Sequence, residues 1–132
     1  MARLILVVED DPLMQRMYEK IFKFAKLEVV TAVDGEEGLE KARTLKPTLI
    51  LLDVMMPKMN GLLVLEKLKA DPNLKSIPVV MLTNLAGEKD AETALLKGAA
   101  KYIVKSQHDP KQVIDMVMQI LAAQTRDDVP GS

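Results

Sequence analysis

Four apolar stretches of the chain each end in a side chain capable of chemistry. Leu4-Ile5-Leu6-Val7-Val8 runs into Glu9-Asp10-Asp11, Leu49-Ile50-Leu51-Leu52 into Asp53, Ile77 to Leu82 into Thr83, and Tyr102-Ile103-Val104 into Lys105. Brought to one rim, these residues would set several carboxylates beside one hydroxyl and one ammonium. Carboxylates held a few ångströms apart repel, so such a cluster either raises a pKa or recruits a cation. An all-oxygen donor set with no histidine or cysteine suits a hard ion, and Mg²⁺ is the usual choice where phosphate is also handled. An aspartate beside such an ion can attack phosphorus to form an aspartyl phosphate. The transferred phosphoryl oxygens then need charge and donors, which Mg²⁺, Lys105 and the Thr83 hydroxyl would supply.

Whether these residues meet depends on the elements that carry them. With Leu27 to Ala32, the chain holds five short apolar runs. Most are unbroken and aliphatic, the pattern of strands buried on both faces of a parallel sheet. Between them the periodicity turns helical. Met14, Met17, Tyr18, Ile21, Phe22 and Ala25 share one face, and Leu62, Leu65 and Leu68 repeat every three residues. Leu95 and Leu96 close a fourth helical segment, and Val113, Ile114, Val117, Ile120 and Leu121 stripe the last. Asp11-Pro12 and Asp109-Pro110 each place a capping carboxylate before a proline at the first helical position. Asp34 with Glu37 reads as a capping box, and Gly98 after Lys97 as a left-handed helix end. The order is (βα)₅, an α/β doubly wound five-stranded parallel sheet wrapped on both faces. Ligands of such sheets bind at the carboxyl ends of the strands, where the polar residues lie.

Composition narrows the alternatives. A chain of 132 residues with 48% hydrophobic content suits one domain with its own core. We expect that domain over residues 1–124, with 125–132 as a flexible polar tail. Eighteen basic against nineteen acidic residues leave a net charge of -1, which argues against nucleic-acid binding. The absence of cysteine excludes disulfides, thiolate nucleophiles and thiolate metal sites. The single histidine, His108, sits beside Asp109-Pro110 and reads as a loop residue rather than a phosphorelay histidine. No targeting segment is evident and no run approaches the roughly 20 apolar residues of a membrane span, so a cytoplasmic location is the expectation.

Four segments in order carry a specific likeness. Leu6-Val7-Val8-Glu9-Asp10-Asp11-Pro12, Leu51-Leu52-Asp53-Val54-Met55-Met56-Pro57 with Met59-Asn60-Gly61, Met81-Leu82-Thr83, and Tyr102-Ile103-Val104-Lys105 together resemble the receiver domain of two-component response regulators, over about residues 3–124. The resemblance implies the flavodoxin-like strand order 2-1-3-4-5 and makes Asp53 the phosphoacceptor. Asp10 would ligate Mg²⁺ directly, Glu9 through water, and the Met55 backbone carbonyl would complete the protein's share of the metal shell. Thr83 and Lys105 would contact the phosphoryl group, and Tyr102 would be the switch aromatic. Asp11 is assigned to helix capping. A sensor histidine kinase or phosphotransfer protein would donate the phosphoryl group. The surface of the fourth helix, fifth strand and fifth helix would signal to an output protein.

Two positions depart from the common pattern: Asn84 stands where a small residue is usual, and Ser106 where proline is frequent. Met55 and Leu85 flank the implied path of a hydrolytic water, and both are apolar, which predicts slow self-dephosphorylation. Met55, Met56 and Met59 could also form an adaptable contact surface. A constitutive interaction module with the same fold is the alternative. A flavin protein would need a Ser/Thr/Gly-rich phosphate loop after the first strand, where this chain has acids. An aspartyl-phosphate hydrolase would need a second acid at Met55. No output domain follows, so we expect action through protein contacts, with a receiver excised from a longer chain left open.

Overall fold

The computed structural model describes residues 3–56, 59–83, 88–105 and 108–127, with the side chains of 88–90 and 125–127 outside the description. Strands and helices alternate throughout: β1 (Leu4–Val8), α1 (Pro12–Phe24), β2 (Glu28–Ala32), α2 (Gly35–Leu45), β3 (Leu49–Asp53), α3 (Gly61–Ala70), β4 (Val79–Thr83), α4 (Glu88–Leu96), β5 (Lys101–Val104) and α5 (Pro110–Asp127). All strand pairs are parallel, in the order β2-β1-β3-β4-β5. The flavodoxin-like (βα)₅ expectation holds. α5 runs to Asp127.

Side-chain alternation divides the core. Leu6, Val8, Ile50, Leu52, Val79 and Met81 pack with residues of α2, α3 and α4. Their strand neighbours Ile5, Val7, Leu49, Leu51, Val80 and Leu82 pack with Tyr18 and Phe22 of α1 and the Val113–Leu121 stripe of α5. β1, β3 and β4 are therefore covered on both sides, which explains their unbroken apolar runs. In α4, Ala94 is buried, whereas Leu95 and Leu96 are 51% and 88% exposed. Among the described side chains of α4, the small Ala94 is the one that is buried.

The helix ends follow their capping chemistry. Asp11 Oδ1 accepts from Leu13 N at 2.9 Å, and Asp34 Oδ1 from Glu37 N at 2.9 Å. Glu37 reaches back one residue further than in a standard capping box, accepting from Val33 N at 2.9 Å. Asp109 and Gln112 close a reciprocal box at the start of α5, with bonds of 2.8 and 2.9 Å. At the other ends, Gly98 is left-handed as expected (φ 104°), but so are Lys26 (φ 66°) and Lys46 (φ 47°).

Candidate functional site

The parallel register brings the polar strand ends to one level. Val8 pairs with Leu52, Asp53 with Leu82, and Thr83 with Val104. Glu9 follows β1 directly, and its N–H continues the ladder to Ala32 O at 3.0 Å. Asp53 ends β3, and Gly61 N, at the start of α3, donates to Val54 O at 2.8 Å. A Cβ on Gly61 would lie 2.2 Å from Asp53 O, so only glycine lets α3 approach the acid-bearing strand end.

Glu9, Asp10 and Asp53 each offer a carboxylate oxygen within 4.8 Å of the other two. Lys105 Nζ lies 2.8 Å from Glu9 Oε2 and 3.4 Å from Asp53 Oδ2. Glu9 and Asp53 are buried, at 3% and 6% exposure, whereas Asp10 is exposed. Burial, opposed in part by the hydrogen bond from Lys105, pushes the Glu9 carboxyl up to about 7; the negative Asp53 pushes the same way. Desolvation of the half-buried Lys105 lowers its pKa, yet its hydrogen bond to Glu9 and the charges of Asp53 and Glu9 outweigh this and raise it. Tyr18, buried beneath the cluster, is held in its phenol form by desolvation and by the charges of Glu9 and Asp53.

A cleft of about 430 Å³ opens onto this cluster, lined by Glu9, Asp10, Asp11, Met14, Asp53, Met55 and Lys105. The structure thus gathers Glu9, Asp10, Asp53, Met55 and Lys105 as the sequence suggested. Met55 is 58% exposed, and its N–H donates to Asp53 Oδ1 at 3.1 Å, fixing the carboxylate. Asp11 both caps α1 and lines the cleft. Thr83 is fully buried at the end of β4, outside the cleft lining. By strand alternation it falls on the side of Val79 and Met81, and Tyr102 packs against that same α2–α4 core. Asn84, Leu85 and Ser106 lie outside the described residues, so the expectations placed on them stay with the sequence.

Sequence reasoning missed Gln15. Its side-chain amide donates to Glu9 O at 2.5 Å and reaches Ala32 O at 3.5 Å. A lone glutamine on the first turn of a helix carries no signal of this bond.

The donor set fits a hard divalent cation. It is all oxygen, three carboxylates converge, and Lys105 is bonded to two of them while Asp10 faces the open cleft.

Comparison with known proteins places these features in a family. The response regulator receiver domain model matches residues 5–118. The response regulator PleD of Caulobacter vibrioides is 42% identical over 109 residues, covering 83% of this chain and 24% of PleD. A probable transcriptional regulator, ycf27, of Cyanophora paradoxa is 39% identical over 117 residues, 47% of its own length. The chain thus spans about half or less of these relatives. Among solved structures, a CheY-like receiver domain protein from Methanospirillum hungatei superposes with a TM-score of 0.89 at 28% identity, covering 96% of this chain and 99% of that one. CheY in a CheX–CheY–BeF3–Mg²⁺ complex from Borrelia burgdorferi gives 0.83 at 30% identity, covering 89% and 88%.

Proposed function

The chain belongs to the response regulator receiver family, phosphorylation-regulated switches of two-component systems, and we propose that here Asp53 accepts the phosphoryl group. The convergence of Glu9, Asp10 and Asp53 within 4.8 Å, with Lys105 bridging two of them, carries this reading. Asp10, Asp53 and the Met55 carbonyl would hold Mg²⁺ directly, and Glu9 through water. Bound there, the ion supplies positive charge to the phosphoryl oxygens.

The residues divide the remaining work. An Asp53 carboxylate oxygen attacks phosphorus as the bond from phosphorus to the donor's leaving atom breaks. For a phosphohistidine donor the imidazole leaves with the bonding electrons and takes up a proton. The Met55 N–H holds the other Asp53 oxygen in place. Lys105 draws one phosphoryl oxygen, exchanging its contact with Asp53 for one with the transferred group. Thr83 takes another, and its displacement is felt on the α2–α4 side of the sheet, where Tyr102 packs. The α4/β5/α5 face, with Leu95 and Leu96 exposed, is the surface we assign to the output partner. Receiver domains take phosphoryl groups from histidine kinases or phosphotransfer proteins, and we assign such a donor here, in the cytoplasm. Among the described residues, no helix is long and apolar enough to cross a membrane.

The test is phosphorylation by a small donor. With Mg²⁺ and acetyl phosphate the protein gains one phosphoryl group by intact mass, and Asp53→Asn gains none. Equal labelling of both would move the acceptor elsewhere, and no labelling of the parent would favour the constitutive interaction module. After donor removal, Met55→Asn and Leu85→Gln lose phosphate faster than the parent, because each places a water-orienting group at the implied path.

A further inference from the structure

The bond from Gln15 to Glu9 O is unusual in its target. Glu9 O and the Asp10 N–H belong to one peptide unit, and that unit joins two of the three clustered acids. Among the described residues, Glu9 is also held by its N–H donating to Ala32 O, by its Oε1 accepting from Asp11 N at 3.3 Å, and by its Oε2 pairing with Lys105. None of them sets the plane of the Glu9–Asp10 peptide, which lies between the last strand residue and the helix cap. Among the described residues, it is Gln15 whose bond falls on that peptide's carbonyl. Both groups facing its amide are carbonyls, so the NH₂ end must point inward.

We propose that Gln15 is a positioning residue for the cation site: its amide orients the Glu9–Asp10 peptide and thereby aims both carboxylates into the cleft. The inference rests on the reading of the cluster as a Mg²⁺ site. Gln15 is half-buried on the first turn of α1, one turn beyond the Asp11 cap, so its own backbone is held by the helix. A rigid element thus reaches back to order an irregular one. Groups that hold metal ligands in place typically change affinity by about 10-fold or more when removed.

Two substitutions test this against simple proximity. Gln15→Leu removes the donor at similar size. Gln15→Glu replaces the donor with an acceptor that repels Glu9 O, while adding negative charge near the cleft. Charge alone would tighten Mg²⁺ binding, whereas loss of positioning loosens it, so the two ideas predict opposite signs. By calorimetric titration, both variants should bind Mg²⁺ about tenfold more weakly than the parent. The amide resonance of Asp10, which shares the held peptide, should shift in the metal-free state more than those of Val7 and Val8. Parent-like affinity in Gln15→Leu, or parent-like or tighter binding in Gln15→Glu, would overturn the positioning role and leave the site reading intact. Should Gln15→Leu not fold, Gln15→Glu and the Asp10 resonance decide alone. Absence of Mg²⁺ binding by the parent would overturn the site reading, and this inference with it.

Discussion

Lys105 and Glu9 stand 96 residues apart in the chain and meet as an ion pair of 2.8 Å, with 11% and 4% of their side chains exposed. The same ammonium reaches Asp53 at 3.4 Å. One half-buried cation therefore compensates two buried carboxylates, and its removal leaves them facing each other. Lys105→Met should destabilise the metal-free protein by about 3 kcal/mol at neutral pH, the usual cost of breaking a buried pair. Urea melts should recover much of that loss at pH 5 or with added Mg²⁺. A loss independent of pH and Mg²⁺ would mean that packing of the lysine stem, not its charge, supports the fold.

Glu9 makes the site sensitive to pH. Burial and Asp53 raise its carboxyl from the ordinary 4.5 to about 7, so between those values the folded state holds a proton that the unfolded state releases. The stability this group contributes is fully present below 4.5 and is lost as pH rises through about 7. Mg²⁺ affinity runs the other way, rising across that window as the competing proton leaves. Glu9→Gln should flatten both profiles, as read by melting and by Mg²⁺ titration from pH 5 to 8.

Neighbouring acids divide their duties. Asp10→Ala should weaken Mg²⁺ binding strongly with little effect on melting. Asp11→Ala should cost about 1 kcal/mol through the lost bond to Leu13 N, with Mg²⁺ affinity changed far less. The reverse pattern would exchange the two roles.

Gly61 sets the approach of α3 to β3. A methyl group there collides with Asp53 O, at 2.2 Å, and with Val54 Cα, at 2.8 Å. Both are backbone atoms and cannot rotate away. Gly61→Ala should cost about 3 kcal/mol, the upper end for overpacking, and should lower phosphorylation of Asp53 because its strand end must shift. A variant as stable and as active as the parent would show that the β3–α3 turn adjusts freely.

The two left-handed lysines are a removable cost. Lys26 ends α1 and Lys46 ends α2, at φ 66° and 47°. Glycine takes this conformation without the Cβ penalty, so Lys26→Gly and Lys46→Gly should each stabilise by about 0.5–1 kcal/mol, with Gly98→Ala destabilising as the control. The two gains should add, since the sites cap separate helices. Thermal melts that fall in both variants would point to lysine contacts that outweigh the backbone strain.

Much of this molecule is written locally. Five apolar runs, the Asp-Pro starts of α1 and α5, the Asp34 cap and Gly98 each act within a few residues of chain, so strand, cap and turn chemistry declare the (βα)₅ order and the sheet that follows. The convergence of Glu9, Asp53 and Lys105 was legible for the same reason: each ends or directly follows a strand, and parallel strands end together. Tertiary structure decided what depends on distant neighbours. Glu9 and Asp53 are buried and share the Lys105 ammonium, while Asp10 is open to the cleft. Ala94, not Leu95 or Leu96, joins the core, a choice of helix face made only when α4 packs. Lys26 and Lys46 adopt the conformation glycine favours because the following strands must begin there. Gln15 became visible only when its amide was seen on Glu9 O: a side-chain bond between a helix and a strand end leaves no pattern in sequence, since its geometry exists only once both elements are packed.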